Sequence, residues 1–217
     1  MKYRYLLFDL DGTLIDTTEG VFKSAQYALR HFGIETDFNE LRAFFGPPLK
    51  VSFSTLYHLS DNDADSAVKY YLERYEKEGI KESRVYPEIP SLLEDLKKAG
   101  YILGVATSKF EEHAIKSLEQ YGIAKYFDYI TGANKDETRS KKHEVIIEAL
   151  DRFGIEEDKT QVLMIGDMKY DVIGAHTVGI ECFGIYTGTA SENELETAGA
   201  DYVGYDFDSL RSFLLNN

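Results

Sequence analysis

A single cysteine, Cys182, stands in a chain of 217 residues, which excludes an internal disulfide. It sits in the apolar stretch 180–185 and reads as a packed core thiol, not a nucleophile. Basic residues are also scarce: 24 Lys and Arg against 38 Asp and Glu leave a net charge of −14. That balance disfavours nucleic-acid polymers and anionic membranes, both of which want a basic face. No apolar run approaches the roughly 20 residues that span a bilayer. Met1-Lys2-Tyr3-Arg4 leads straight into an apolar segment with no room for a leader peptide, so a cytoplasmic location is expected. His31, His58, His113, His143 and His176 show no metal-ligand spacing, which argues against zinc. The 16 Tyr and 13 Phe form no stripe beside a basic groove, which argues against single-strand binding. Internal repeats and low-complexity tracts are absent. What remains is an ordinary globular composition, 43% hydrophobic and 29% charged.

Along most of the chain, strand and helix patterns alternate. Strands are expected over residues 3–8, 102–106, 129–131, 162–165 and 182–185. Helices are expected over 90–99, 111–121, 142–153 and 171–178, stopped in turn by Gly100, Gly122, Gly154 and Gly179. A further helix, a short strand at 202–203 and a closing helix over 207–214 complete the pattern. Strands alternating with helices predict a parallel sheet covered on both faces. The stretch 15–85 breaks the rhythm. Val21, Ala25, Ala28, Leu29 and Phe32 fall at helical spacing, Leu41, Phe44 and Phe45 continue it, and Val68, Tyr71, Leu72 and Tyr75 mark another helix. This reads as a helical insertion of about 70 residues, too long for a plain loop. Tyr86-Pro87-Glu88-Ile89-Pro90 reads as the return hinge.

The chemistry-bearing residues fall where strands end. Asp9-Leu10-Asp11-Gly12-Thr13 follows the first strand, Thr107-Ser108 the second, and Gly166-Asp167 a later one, with Asp171 four residues on. In an open α/β sheet, that edge is where ligands bind. Clustered carboxylates repel unless something cationic sits among them, and Mg²⁺ suits a few carboxylates, water and a substrate phosphate. Lys141-Lys142 opens an amphipathic helix and can bring a positive charge to the group.

Phe8-Asp9-Leu10-Asp11-Gly12-Thr13-Leu14, Thr107-Ser108, Lys142 and Gly166-Asp167-Met168-Lys169-Tyr170-Asp171 occur in the order of four motifs. Together they resemble the haloacid dehalogenase-like hydrolase superfamily, specifically its phosphatases of the phosphoglycolate phosphatase and 5′-nucleotidase kind. The resemblance implies a Rossmann-like, doubly wound α/β core, residues 1–14 and 86–217, with an inserted helical cap, residues 15–85. It implies Asp9 as nucleophile, Asp11 as general acid and base, and Lys142, or else Lys141, as the fixed cation. Thr107 and Ser108 would bind the phosphate. Asp9, the backbone carbonyl of Asp11, and Asp167 would hold Mg²⁺, with Asp171 a further ligand or an anchor. Phe45, Gly46, Lys50 and Ser52, around Gly46-Pro47-Pro48-Leu49, would meet the leaving group. The implied partner is a small phosphate ester, acted on by a monomer or weak homodimer. Two other readings stay open: a phosphomutase of the β-phosphoglucomutase type, and a non-enzymatic receiver-like domain that keeps its phospho-aspartate.

Overall fold

The computed structural model describes residues 2–45, 47–134, 138–155 and 158–216. Tyr5–Phe8 (β1) is short, apolar and nearly all buried, the pattern of a strand covered on both faces. The chain then runs through Ile15–Asp16 (β2), Thr18–Arg30 (α1), Leu49–Leu56 (α2), Asp61–Lys77 (α3) and Arg84–Val85 (β3). Helix and strand alternate from there: Ile89–Lys98 (α4), Ile102–Phe110 (β4), Glu111–Gln120 (α5), Tyr129–Ala133 (β5), Lys142–Arg152 (α6), Val162–Gly166 (β6), Lys169–Val178 (α7), Glu181–Ile185 (β7), Glu194–Thr197 (α8), Tyr202–Gly204 (β8) and Phe207–Leu215 (α9).

Six strands form one parallel sheet in the order β5-β4-β1-β6-β7-β8. The order reverses at β1. The chain fills β4 and β5 on one side, then returns to add β6, β7 and β8 on the other. Such a reversal opens a crevice outside the carboxyl ends of the strands. Register puts Phe8 beside Val105 and Ile165, so Asp9, Ala106 and Gly166 come next along the same edge.

Alternate side chains of each strand face opposite ways, and both faces are apolar. Leu6, Phe8, Leu103, Val105, Leu163 and Ile165 pack with Leu92 and Leu96 of α4 and Leu210 of α9. Leu7, Ala106, Met164 and Cys182 pack with Val145 and Ile146 of α6 and Val172 of α7. Each fully buried Leu, Ile or Phe contributes roughly 1.5–3 kcal/mol, which explains why the strands are near-continuous apolar runs.

Contacts divide the chain into two units, Met1–Ile15 with Val85–Asn217, and Asp16–Arg84. In the second, α1 packs on α3, burying Val21, Ala25, Ala28 and Leu29 of the first helix and Ala64, Ala67, Tyr71 and Tyr75 of the other. Gly20 lies so close to Gly79 that a Cβ on it would sit 2.1 Å from the Gly79 carbonyl oxygen. Arg74 donates to both carboxylate oxygens of Glu82, at 2.8 and 3.0 Å, and Lys23 reaches the same carboxylate at 3.0 Å.

Most expected elements end within two residues of the observed ones. The exceptions have physical reasons. The strand expected to stop at Ala106 continues to Phe110, because its pairing with β5 shifts register between those residues and resumes at Phe110 and Ala133. Leu41, Phe44 and Phe45 do not extend an α-helix; Glu40–Phe44 is a 3₁₀ turn and Phe45 is extended. The expected return hinge is shorter, since Ile89 and Pro90 already open α4, with proline in the first turn where no N–H partner is needed. No helix among the described residues is long and apolar enough to cross a membrane.

Candidate active site

Asp9 leaves β1 with its N–H donating to the Ile165 carbonyl at 2.9 Å, which locks it at the switch point. Its carboxylate accepts Lys142 Nζ at 2.7 Å. Lys142 is the first residue of α6 and also reaches Asp171 at 2.8 Å and the Ala106 carbonyl at 3.1 Å. Lys141, its neighbour, is the exposed helix cap and joins none of these groups. Gly174 makes room for the lysine: a Cβ there would lie 2.6 Å from Lys142 Cγ. A glycine inside a helix costs about 1 kcal/mol relative to alanine, so this one is tolerated for the close approach.

Asp171 is the third residue of α7, and its other oxygen accepts the Met168 N–H at 3.0 Å. The helix starts after Asp167, so the two aspartates do not share one helical face. They still converge. Asp9, Asp167 and Asp171 are buried and bring carboxylate oxygens within 4.8 Å of one another. Asp167 accepts Thr13 Oγ1 at 3.0 Å and the Thr189 N–H at 3.2 Å. Gly12, at φ 85°, and Gly188 wrap its carboxylate; a Cβ on either would lie 2.3 or 1.8 Å from Oδ2.

Burial sets the electrostatics. It pushes the Asp9 carboxyl up to about 6, with the Lys142 ammonium pulling the other way. Burial also holds Asp167 well above the usual carboxylate range, reinforced by the charges of Asp171 and Asp9. For Lys142, burial favours the neutral form, but Asp171 and Asp9 outweigh it and keep the ammonium. A further cation among these carboxylates would favour their ionised form. The donor set is all oxygen, which fits a hard divalent ion such as Mg²⁺. The charge count agrees. If all were ionised, Asp9, Asp11, Asp167 and Asp171 would bring four negative charges against the two ammoniums of Lys142 and Lys109, two more than the lysines balance.

Lys109 escaped the sequence reading. Its Nζ lies 2.8 Å from each oxygen of Asp11, and it is a residue past Thr107-Ser108, where lysine reads as surface. Thr107 is buried and its Oγ1 accepts the Lys109 N–H at 3.2 Å, so its hydroxyl shapes the loop. The buried Ser108 Oγ has no partner. Thr13, Thr187, Gly188 and Thr189 were also unassigned. Thr187 Oγ1 donates to the Gly12 carbonyl at 2.8 Å and its own carbonyl accepts Tyr86 Oη at 2.7 Å. The only signal was position, a Thr-Gly-Thr after β7. Cys182 is fully buried, which pushes its thiol up and leaves it inert.

The remaining expected residues belong to the helical unit. Phe45 is buried against Phe22, ring centroids 5.6 Å apart. Lys50 pairs with Asp61 and Asp65 at 3.0 and 2.9 Å. Ser52 is buried there, and Gly46 lies outside the described residues.

Residues 6–185 match the family model of the haloacid dehalogenase-like hydrolases. A 5′-nucleotidase of Pseudomonas aeruginosa is 39% identical over 215 residues, 99% of this chain and 96% of the relative. A pyrophosphatase of Oceanobacillus iheyensis is 27% identical over 211 residues, covering 97% and 96% of the two chains. The solved structure of a predicted phosphatase from Clostridium acetobutylicum superposes with a TM-score of 0.95 at 40% identity, covering all of both chains. With its parallel sheet, its switch-point aspartates and its buried lysine, this chain belongs to the haloacid dehalogenase-like hydrolase family, among its phosphatases.

Proposed function

We propose that this chain is a Mg²⁺-dependent phosphomonoesterase that works through an aspartyl-phosphate on Asp9. The observation that carries the reading is the buried convergence of Asp9, Asp167 and Asp171, with one ammonium pairing Asp9 and Asp171. Asp9, Asp167, the Asp11 carbonyl and Asp171, directly or as an anchor, would hold the ion. Mg²⁺ supplies the positive charge that lets a phosphate dianion approach a carboxylate.

The protein does the rest. Asp9 attacks phosphorus while the ester P–O bond breaks, and Asp11 gives its proton to the leaving oxygen. Asp11 then takes a proton from water, which attacks the same phosphorus, frees inorganic phosphate and restores Asp9. Lys142 stays charged throughout and steadies the equatorial oxygens. Ser108, whose buried hydroxyl is unpartnered, and Thr107, through this loop, receive the phosphate. The insertion 15–85 would serve as the cap domain beside the core 1–14 and 86–217 and would set the choice of leaving group.

The substrate class favoured is a nucleoside 5′-monophosphate, supported by the name of the Pseudomonas aeruginosa relative. Phosphoglycolate is less favoured, because the cation offered for its carboxylate, Lys50, already faces two aspartates. The test is phosphate release from nucleotides, phosphoglycolate and sugar phosphates with Mg²⁺, with Asp9→Asn as control. Release from nucleotides that vanishes in the variant supports the proposal. An inactive parent, or a variant within tenfold of it, removes it. Transfer of phosphate between positions of a sugar phosphate would mark a mutase instead.

A further inference from the structure

Resting on the phosphatase reading, we infer that Lys109 is a positioning residue that holds the Asp11 carboxylate in place for proton transfer to the leaving group. Lys109 and Asp11 make a two-pronged ion pair. The ammonium lies 2.8 Å from both carboxylate oxygens, and the two side chains are 7% and 18% exposed. An ordinary surface lysine keeps its ammonium in water and lays only its stem on the protein. Burying the ammonium is unfavourable unless the geometry is good, so a lysine turned inward here needs a reason.

The backbone around Lys109 is built to turn it inward. Thr107 Oγ1 accepts the Lys109 N–H at 3.2 Å. The pairing of β4 with β5 resumes just after it, at Phe110 and Ala133. Gly132 on β5 lets the 109–111 backbone come close; a Cβ there would sit 2.6 Å from the Lys109 carbonyl oxygen and 2.6 Å from Glu111 Cα. Three separate devices therefore fix one lysine.

The site also divides its cations. Lys142 serves Asp9 and Asp171, Asp167 is held by a hydroxyl and an amide, and Asp11 pairs with Lys109. Asp11 is accordingly outside the cluster of converging carboxylates. A carboxyl that must pass a proton to the leaving oxygen, and then take one from water, has to stay clear of that cluster. Lys109 makes neither bond itself. It keeps Asp11 where both transfers can occur.

The test compares Lys109→Met with the parent on esters of graded leaving group, from p-nitrophenyl phosphate to an alkyl phosphate. Mispositioning a reacting group costs on the order of 100-fold, and general acid–base catalysis is worth about 10²–10⁴. The expected loss in kcat/KM is therefore about 100-fold for the alkyl ester, and under about tenfold for p-nitrophenyl phosphate, whose leaving group needs little protonation. In an Asp11→Asn background, adding Lys109→Met should cost nothing further on the alkyl ester. A structural role, or a direct grip on the phosphoryl group, predicts equal losses across esters and multiplying losses in the double variant; either result overturns the inference. If Lys109→Met does not fold, Lys109→Leu, which likewise removes the donor, carries the same comparison. Parent turnover separates the two levels. An inactive parent overturns the phosphatase reading and this inference with it, whereas an active parent with equal losses overturns this inference alone.

Discussion

Asp9→Asn should make the metal-free protein more stable while removing its activity. The Asp9 carboxyl rises from 3.8 to about 6 on folding because burial disfavours its charge. A folded value above the unfolded one means that the ionised group costs stability. The cost is absent below the unfolded value, grows as pH rises through the interval, and is constant above the folded value. At about 1.4 kcal/mol per unit, the interval amounts to roughly 3 kcal/mol at neutral pH. Asparagine imitates the neutral acid and removes that cost. For a chain of this size, 1 kcal/mol moves the midpoint by about 2–4 °C, so the variant should unfold roughly 6–12 °C higher. Calorimetry with EDTA at pH 7.5 measures this, and the gap should close as pH is lowered toward 4. Mg²⁺ should reverse the order: at about 1,000 times its Kd it adds about 4.1 kcal/mol to a protein that binds it, and the variant has lost a ligand. An Asp9→Asn midpoint at or below the parent's in EDTA would refute the reasoning, because the carboxylates would then carry no unmet charge.

Gly174→Ala places a Cβ 2.6 Å from Lys142 Cγ; kcat should fall by roughly 10–100-fold while circular dichroism shows an intact fold. Arg74→Met leaves the partly buried Glu82 with fewer donors and should cost about 1–3 kcal/mol in urea unfolding. Arg74 and Lys23 hold Glu82 below its usual range, so that contribution exists above the unfolded value, and the difference between variant and parent should shrink as pH falls through the carboxylate range. Lys50→Ala should change the ratios of kcat/KM across the ester panel; unchanged ratios would make the 45–50 segment only architectural.

Much of this fold is written locally. The helix-ending glycines work because the chain must leave a helix with positive φ, as Gly179 does at 79°, and few other residues do that cheaply. Strand identity follows from burial on both faces, which leaves apolar runs that any reading detects. The convergence of Asp9 and Asp167 was legible because strand ends near a switch point carry ligands. Choosing between Lys141 and Lys142 was not, since one residue of helix phase separates a buried ammonium from a solvated one, and only the Gly174 notch on a neighbouring helix decides it. Lys109 was hidden for a similar reason. Its inward turn depends on a register shift and on Gly132 in another strand, and no local pattern announces either. Gly188 and Thr189 reach Asp167 from a loop some twenty residues away, a closure that exists only once β6 and β7 pair. In the helical unit, Lys50 reads as a free cation until α3 supplies Asp61 and Asp65.

The account's central claim is that Asp9 carries the phosphoryl group. Asp11→Asn keeps the nucleophile but withholds the base that activates water, so the intermediate should accumulate. Mixing this variant with substrate and Mg²⁺, quenching in acid and mapping peptides by mass spectrometry reads it directly. The account predicts one phosphoryl group on Asp9, absent without Mg²⁺ and absent from the Asp9→Asn, Asp11→Asn double variant. A parent that turns over substrate while the phosphoryl group is found on another residue would contradict it.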